Sequence, residues 1–485
     1  MKKNINYRII INVISFLLIL EGIFMALSLI PSVLYKEGDF IPLLISTGIC
    51  LLCGGTIWAF SRRKEEISLA KKEGYIVVSL AWIIFSFFAA LPFYLSGAVD
   101  TYTDAFFETM SGVTTTGASV ITDIESVPKG ILFWRSIIQW LGGVGIIVLS
   151  IAILPLLGIG GMSLFIAEVP GPTKEKIHPR IKETAKRLWG IYLILTLLQT
   201  ALLMFGKMNL FDALCHSFTT MATGGFSTKN TSIVEYSPYI QYIITIFMVF
   251  AGINFNMHYF AMHGKLRKLW ENEELKFYLF FITIVTLIIF VPLFYFEAAG
   301  VEKAFRDALF QVVSIITTTG FVTADYLNWP GTTWLIIFLL FFTGACAGST
   351  AGSIKMIRQI LLLKNSYLEL KRLIHPNAVI PVRYNDKPVS KDIIFNVLAF
   401  FVFYMLIFAF GSFIMSLTAL DFQSSIGSVA SCLGNIGPGL GAVGPMGNYA
   451  SVSIFGKWFL SFMMLLGRLE LFTILILFSP GFWRK

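Results

Sequence analysis

The sequence predicts an all-α integral membrane fold: four parallel pseudo-repeats of helix, pore loop and helix around one pore, plus two extra N-terminal transmembrane helices. Three observations predict it. Apolar runs near 20 residues long recur from end to end, the length that crosses a bilayer core. Basic residues collect in alternate connecting segments. A polar pattern ending in glycine returns four times.

Composition sets the class. Of 485 residues, 56% are hydrophobic and 13% charged, where soluble domains carry about a quarter charged. The net charge of +9 follows membrane topology rather than a nucleic-acid surface, because it sits in every second loop. Five scattered cysteines, several inside apolar runs, imply neither a disulfide framework nor a zinc site. The opening Met1-Lys2-Lys3 and Arg8 precede an apolar stretch that runs past Tyr35 without a small-residue cleavage site, so it reads as a retained first span.

Ten spans are expected, at 9–35, 41–60, 75–98, 131–157, 188–206, 239–262, 276–296, 333–363, 392–417 and 453–478. Segment 61–74 holds Arg62, Arg63, Lys64, Lys71 and Lys72, and segment 158–187 holds Lys174, Lys176, Arg180, Lys182, Lys186 and Arg187. Lys265, Arg267 and Lys268 follow in 263–275, and Lys364, Lys371, Arg372, Arg383, Lys387 and Lys391 in 364–391. All four segments fall on one side, which the positive-inside rule makes cytoplasmic, and both termini join them. On the other side, Asp100, Asp104, Glu108, Asp123 and Glu125 cluster with Lys129 as the only base nearby. Such a cluster reads either as a mouth that concentrates cations or as a solvated loop.

Four outer segments share a register. Aligned on Gly117, Gly225, Gly320 and Gly437, they place Asp104, Asp212, Asp307 and Ser424 thirteen residues earlier. Six earlier stand Ser111, Thr219, Ser314 and Ser431; two earlier stand Thr115, Thr223, Thr318 and Asn435. The Asp or Ser suits a helix N-cap, and about ten residues then lead to the turn, too few to cross a membrane. Non-helical backbone at that depth survives only inside protein or along a watery path. The division expected is 1–73 for the two extra helices, then units at 74–187, 188–274, 275–391 and 392–485.

A turn of this kind suits a dehydrated cation. Rings of backbone carbonyls replace the hydration shell of potassium, and aiming successive carbonyls inward needs dihedrals that glycine reaches freely. Threonine adds a hydroxyl ligand, and the C-terminal end of each short helix points its negative dipole at the path. The expected filter is Thr115, Thr116 and Gly117; Thr223, Gly224 and Gly225; Thr318, Thr319 and Gly320; and Asn435, Ile436 and Gly437. The rival readings are an ion-coupled secondary transporter, which would show inverted repeats or intramembrane carboxylates, and a membrane enzyme, which would need clustered catalytic groups. The repeats run in one direction, carboxylates within the spans are few, and the chain has five histidines. No enzymatic activity is expected.

With these segments, Trp134-Arg135-Ser136, Gln139-Trp140-Leu141-Gly142-Gly143, the stretch from Gly344 to Ser353, and Gly467-Arg468-Leu469-Glu470, the chain resembles the Trk/Ktr/HKT superfamily of potassium transporters. It is most similar to the TrkH family, which has two spans before the first repeat. The resemblance implies potassium as the transported ion and no organic cofactor. It also implies a homodimer in a bacterial inner membrane, and a cytoplasmic nucleotide-binding (RCK-type, TrkA-like) regulatory subunit. Passive gated flow and coupling to protons or sodium both stay open.

Two features inside the spans carry further expectations. Gly344, Ala345, Gly348, Ser349, Thr350 and Gly352 fall in a run of ten small residues within the eighth span. Glycines four apart fit close helix packing, whereas low helix propensity fits a break; the resemblance implies an intramembrane gate loop. Arg468 lies in the last span, where a charge costs about 2.5–3.5 kcal/mol unless it faces a cavity or partner. It is not expected to pair with Glu470, since residues two apart do not share a helix face. Facing the pore, it would set a barrier to cations or anchor the gate loop through its carbonyls. Glu21 has no assignable role, and His216 and His258 read as packed rings.

Overall fold

The computed structural model describes residues 5–61, 71–148, 177–296 and 300–484. Helices α1 (Tyr7–Leu27) and α2 (Leu29–Tyr35) form one continuous apolar rod, and α3 (Phe40–Ser61) packs back along it. Then follow α4 (Lys71–Ala89), α5 (Leu91–Leu95), α6 (Tyr102–Val113), α7 (Lys129–Val148), α8 (Ile177–Phe205), α9 (Leu210–Met221), α10 (Pro238–Gly252), α11 (Phe255–Met262) and α12 (Leu266–Trp270). The second half holds α13 (Glu273–Phe296), α14 (Val301–Ile316), α15 (Gly331–Leu340), α16 (Met356–Ile374), α17 (Lys391–Ser416), α18 (Phe422–Gly434), α19 (Ile454–Arg468) and α20 (Phe472–Leu475). A two-stranded ribbon, Arg383–Tyr384 with Lys387–Pro388, is antiparallel and lies in a connecting segment.

Among the described residues, seven helical rods are long and apolar enough to cross a bilayer, and α10–α11 and α19–α20 qualify as bent pairs. The bends are corrections to the expected straight spans 239–262 and 453–478: they measure 102° and 109°. The eighth expected span is not one helix either. Its first part, α15, has 10 residues, and the backbone from 341 to 355 is irregular before α16 begins. Packing of glycines 344, 348 and 352 along a helix face is therefore not what occurs. Expected span 131–157 runs past Val148 out of the described residues, as do Arg62, Arg63, Lys64, Lys174 and Lys176.

The interior has two large apolar cores. One joins α4, α6 and α7 to α18 and α19; the other joins α10, α13 and α14 to α15. Phe342 and Phe408 pack against both. The outward faces of α1, α3, α13 and α17 stay apolar, with Phe16, Leu52, Phe280 and Phe410 all more than half exposed, as lipid-facing helices require. Glu21 is fully buried, and among the described residues neither carboxyl oxygen has a hydrogen-bond partner.

The four helices that lead into the repeated turns are too short to cross. Helices α6 and α9 have 12 residues, α18 has 13 and α14 has 16, so twelve residues rise only about 18 Å. Their caps lie elsewhere than expected. Thr101, Asn209 and Asp421 are the N-caps of α6, α9 and α18. Asp104, Asp212 and Ser424 stand three residues inside. Thr101 Oγ1 accepts from the Asp104 amide at 3.1 Å and donates to its carboxylate at 2.7 Å; Asn209 and Asp212 repeat this exchange. Each resembles a capping box, except that the Asp carboxylate accepts from the side chain of the cap rather than from its backbone amide. Helix α14 starts earlier, at Val301, which leaves Asp307 within the helix.

Candidate ion-conduction site

Each of the four short helices ends in the same way. The amide of Thr116 bonds to Ser111 O at 2.8 Å, that of Gly224 to Thr219 O at 2.8 Å, that of Thr319 to Ser314 O at 2.8 Å, and that of Ile436 to Ser431 O at 3.0 Å. One residue earlier, Thr115, Thr223, Thr318 and Asn435 bond back three residues to Gly112, Thr220, Ile315 and Cys432. This pair of bonds is the Schellman ending, whose C′ residue is left-handed and usually glycine. Here φ is +53° at Thr115 and Thr223 and +54° at Thr318 and Asn435. A β-branched residue at such a φ is a true outlier, strained by about 1–3 kcal/mol. Two residues on, Gly117, Gly225, Gly320 and Gly437 are again left-handed, with φ of +86°, +73°, +79° and +104°. The aligned Ser and Thr positions thus mark the carbonyls that close the turns.

The four turns touch in cyclic order. A methyl group placed on Gly117 would strike Gly224 O; on Gly225, Thr319 O; on Gly320, Ile436 O; and on Gly437, Thr116 O, which returns to the first turn. All four glycines line one outward cavity of about 90 Å³. The twelve residues expected in the filter are buried or nearly so. Among the described residues, the carbonyls of Thr115, Gly117, Thr223, Gly225, Thr318 and Gly320 accept no hydrogen bond. Buried carbonyls are rarely left so.

Other carbonyls of the turns are held by the scaffold. Gln139 Nε2 donates to Gly224 O at 2.7 Å, and its Oε1 accepts from Phe226 N at 3.1 Å. Ser431 Oγ and the Tyr449 hydroxyl both donate to Gly437 O, at 2.7 and 2.9 Å. Arg135 and Glu108 form a buried ion pair at 2.7 Å. Arg135 reaches Ser227 O and lies over the Phe226 ring, while Glu108 accepts from Ser119 and Val120. That pair ties the first turn to the second. Gln139→Leu is expected to orphan Gly224 O and Phe226 N at about 1–3 kcal/mol each. The melting temperature in detergent should fall measurably; an unchanged melt would mean that Gln139 does not hold the turn.

The acidic segment is not a ring of free carboxylates. Asp104 pairs with Lys457 at 2.6 Å, Glu108 with Arg135, and Glu125 with Lys229 at 3.1 Å. The hydrogen bond from Asn230 holds the Asp123 carboxyl below its usual range, and bonding to Glu125 raises Lys229. Glu108 and Asp104 are therefore built into the protein and fit neither a solvated loop nor a cation-concentrating mouth, and of these three pairs only Glu125–Lys229 is solvated. His216 bonds to Asp212 O and Ser227 Oγ, and His258 to Phe250 O, as packed rings do.

The irregular stretch 341–355 folds into a loop whose neck is closed by Gly344 N to Ile354 O at 2.8 Å and Met356 N to Ala345 O at 3.0 Å. It contacts three of the four turns from beneath. Gly352 N donates to Thr318 Oγ1 at 2.7 Å, Thr350 Oγ1 donates to Met221 O at 3.0 Å, and Gly352 abuts Gly434 O and Asn435. The α10–α11 bend faces the loop: Cys346 N bonds to Gly252 O, and Phe255 N to Gly348 O, both at 3.1 Å. Backbone groups freed by the bend are thereby satisfied.

Arg468 ends α19 at its own bend and is 2% exposed. Its guanidinium donates to Thr350 O of the loop at 2.7 Å and to Gly142 O of α7 at 3.1 Å. Glu470 pairs instead with Arg358, whose guanidinium lies 3.9 Å from the Phe400 ring centroid. Glu274, which the sequence did not single out, accepts from Ala347 N at 2.7 Å and Ile357 N at 3.1 Å, one bond within the loop and one just past it. A carboxylate near the start of an apolar run reads as a helix-end charge, and nothing local signals its reach to a loop seventy residues on.

Residues 42–485 match the family model TrkH, described as a cation transport protein. The "Trk system potassium uptake protein TrkH" of Escherichia coli strain K12 is 41% identical over 485 residues, covering 99% of this chain and all of that protein. TrkG of the same strain, also a Trk system potassium uptake protein, is 34% identical over 482 residues, 99% of each chain. The crystal structure of the potassium transporter TrkH from Vibrio parahaemolyticus superposes with a TM-score of 0.90 at 38% identity, covering 99% of this chain and all of that one. Related over its whole length to transport proteins, the chain is not an enzyme; it belongs to the TrkH family of cation transport proteins.

Proposed function

We propose that this chain is a potassium-selective, channel-like transporter for potassium uptake, with four parallel helix–loop–helix units surrounding one pore. One observation carries the reading: four left-handed turns meet in a closed cycle, and their glycines border a single cavity. Six carbonyls without protein donors, those of Thr115, Thr223 and Thr318 in buried residues and those of Gly117, Gly225 and Gly320 at the cavity, are the ligands a stripped cation requires. The strain at Thr115, Thr223 and Thr318 fits a functional site, because those positions must aim peptides rather than minimise energy. Thr115, Thr116 and Gly117 with their counterparts, down to Asn435, Ile436 and Gly437, form the filter.

Beneath it, the loop carrying Gly344, Ala345, Gly348, Ser349, Thr350 and Gly352 is the gate, and Arg468 both fastens it and places a positive charge under the filter. The regulating partner is a cytoplasmic RCK-type nucleotide-binding subunit, the assembly is a homodimer, and the chain sits in a bacterial inner membrane with both termini cytoplasmic. The test is flux into liposomes, potassium against sodium, with and without that subunit. Equal potassium and sodium flux would end the filter reading.

Glu274 supplies a second test of the gate. Glu274→Ala frees Ala347 N and Ile357 N, at about 1–3 kcal/mol each, and is expected to raise flux several-fold without the regulatory subunit. Glu274→Gln keeps an acceptor and should stay nearer the parent. Identical flux in the parent and both variants would remove Glu274 from the gate.

A further inference from the structure

An apolar slot of about 430 Å³ lies behind the gate arginine, outside the ion path. Its walls are residues 13–20 of α1, 77–85 of α4 and 141–145 of α7, with Val113, the last residue of α6, at the inner end. Two of its lining residues touch Arg468: Gly142 through its carbonyl, and Trp82 through its ring, 5.9 Å from the guanidinium. The slot is open outward, since Leu20 and Gly145 are exposed. Along α4 it runs about 12 Å, close to one leaflet's share of a hydrocarbon core about 30 Å thick. Five residues before Val13 stands Arg8, and five before Val77 stands Lys72, with Lys71 beside it. Among the described residues, Arg8 and Lys72 donate only to the neutral carbonyls of Phe60 and Arg484. No ion pair joins any of the three to a carboxylate among the described residues.

We propose that this slot is a regulatory lipid site. It takes one acyl chain of an anionic phospholipid from the leaflet on the side of the N-terminus, with the headgroup phosphate over Arg8, Lys71 and Lys72. Length, apolar walls and charge together select that occupant. A chain packed against Trp82 and Gly142 steadies the two contacts that flank Arg468, and so the loop carbonyl that Arg468 holds. The assignment of Arg468 to the gate comes from the proposed function; occupancy of the slot does not depend on it.

The test uses Trp82 as the reporter. The full chain is placed in vesicles of phosphatidylglycerol with brominated acyl chains, and fluorescence quenching is compared with that of Trp82→Phe, which isolates the Trp82 signal. An added Cβ at position 145 would rest in ordinary contact with the Trp82 ring, at 3.7 Å. Gly145→Leu places its side chain against Trp82 inside the slot and is expected to abolish Trp82-dependent quenching. The dependence of flux on phosphatidylglycerol should be lost with it. Quenching of Trp82 that is the same in Gly145→Leu and the parent overturns the site. Equal quenching by brominated phosphatidylcholine overturns the anionic headgroup. Because quenching reads the slot without ion transport, its failure is distinct from a failure of the filter reading.

Discussion

Gly225→Ser and Gly320→Ser are each expected to lower potassium-over-sodium permeability by at least about tenfold, which is ~1.4 kcal/mol. Two physical causes act together. Each glycine is left-handed, at +73° and +79°, which costs an L-residue about 1–2 kcal/mol. Each Cβ would also strike a neighbouring carbonyl, Thr319 O for Gly225 and Ile436 O for Gly320. The clash pushes on an oxygen of the next turn, so one substitution distorts two units of the cycle. Gly97 separates the causes: its φ is also +73°, and an added Cβ there meets nothing within 4 Å. Gly97→Ser should leave ion ratios unchanged while bearing the same backbone strain. Thermal melts give an independent readout, since a bound ion stabilises the folded chain by mass action. Potassium should raise the melting temperature of the parent and of Gly97→Ser more than that of the filter variants. Unaltered permeability ratios in both filter variants would count decisively against the filter.

The register of the turns was legible in sequence because strained backbone is selective about residue type. Left-handed φ two residues before and at the glycine leaves few choices, and six residues earlier the hydroxyls of Ser314 and Ser431 donate to carbonyls at the far side of the turn. Those demands recur at fixed offsets, so Ser111, Thr219, Ser314 and Ser431 align even where the intervening residues differ. Asp104 and Asp212 were legible as helix starts but misplaced by three residues. Thr101 and Asp104, and likewise Asn209 and Asp212, are both small polar residues able to cap a helix, and sequence alone does not say which is first.

The bends were illegible for a different reason. Apolar runs stand on both sides of Ile253 and of Arg468–Glu470, so averaged hydropathy reads one straight span across each short polar interruption. The decision to break comes from partners distant in sequence: Cys346 and Gly348 take up the backbone groups of the α10–α11 bend. Glu108 shows the same limit. Among neighbouring carboxylates it reads as part of an acidic mouth, yet Arg135, 27 residues on, draws it wholly inside. Pairing of buried charges is settled by the fold.

Arg468→Ala is expected to raise potassium flux, by roughly tenfold in the absence of the regulatory subunit, and a comparison with Arg468→Lys divides the effect into its parts. The arginine acts in two ways that its geometry keeps separable. Its guanidinium bridges Thr350 O of the loop and Gly142 O of α7, a fixed fork that lysine's single ammonium does not reproduce. It also sets a positive charge beneath the filter, which lysine preserves. If anchoring the loop dominates, Arg468→Lys and Arg468→Ala should open the path to similar degrees. If the charge dominates, Arg468→Lys should stay near the parent and only Arg468→Ala should conduct more. Added salt distinguishes them again, because screening weakens a barrier made by charge and leaves a lost hydrogen-bond anchor lost. Removing Arg468 also relieves a buried cation that, among the described residues, has no carboxylate partner, so the variant need not be less stable. A folded Arg468→Ala protein with the parent's flux would mean that neither the anchor nor the charge restrains the ion.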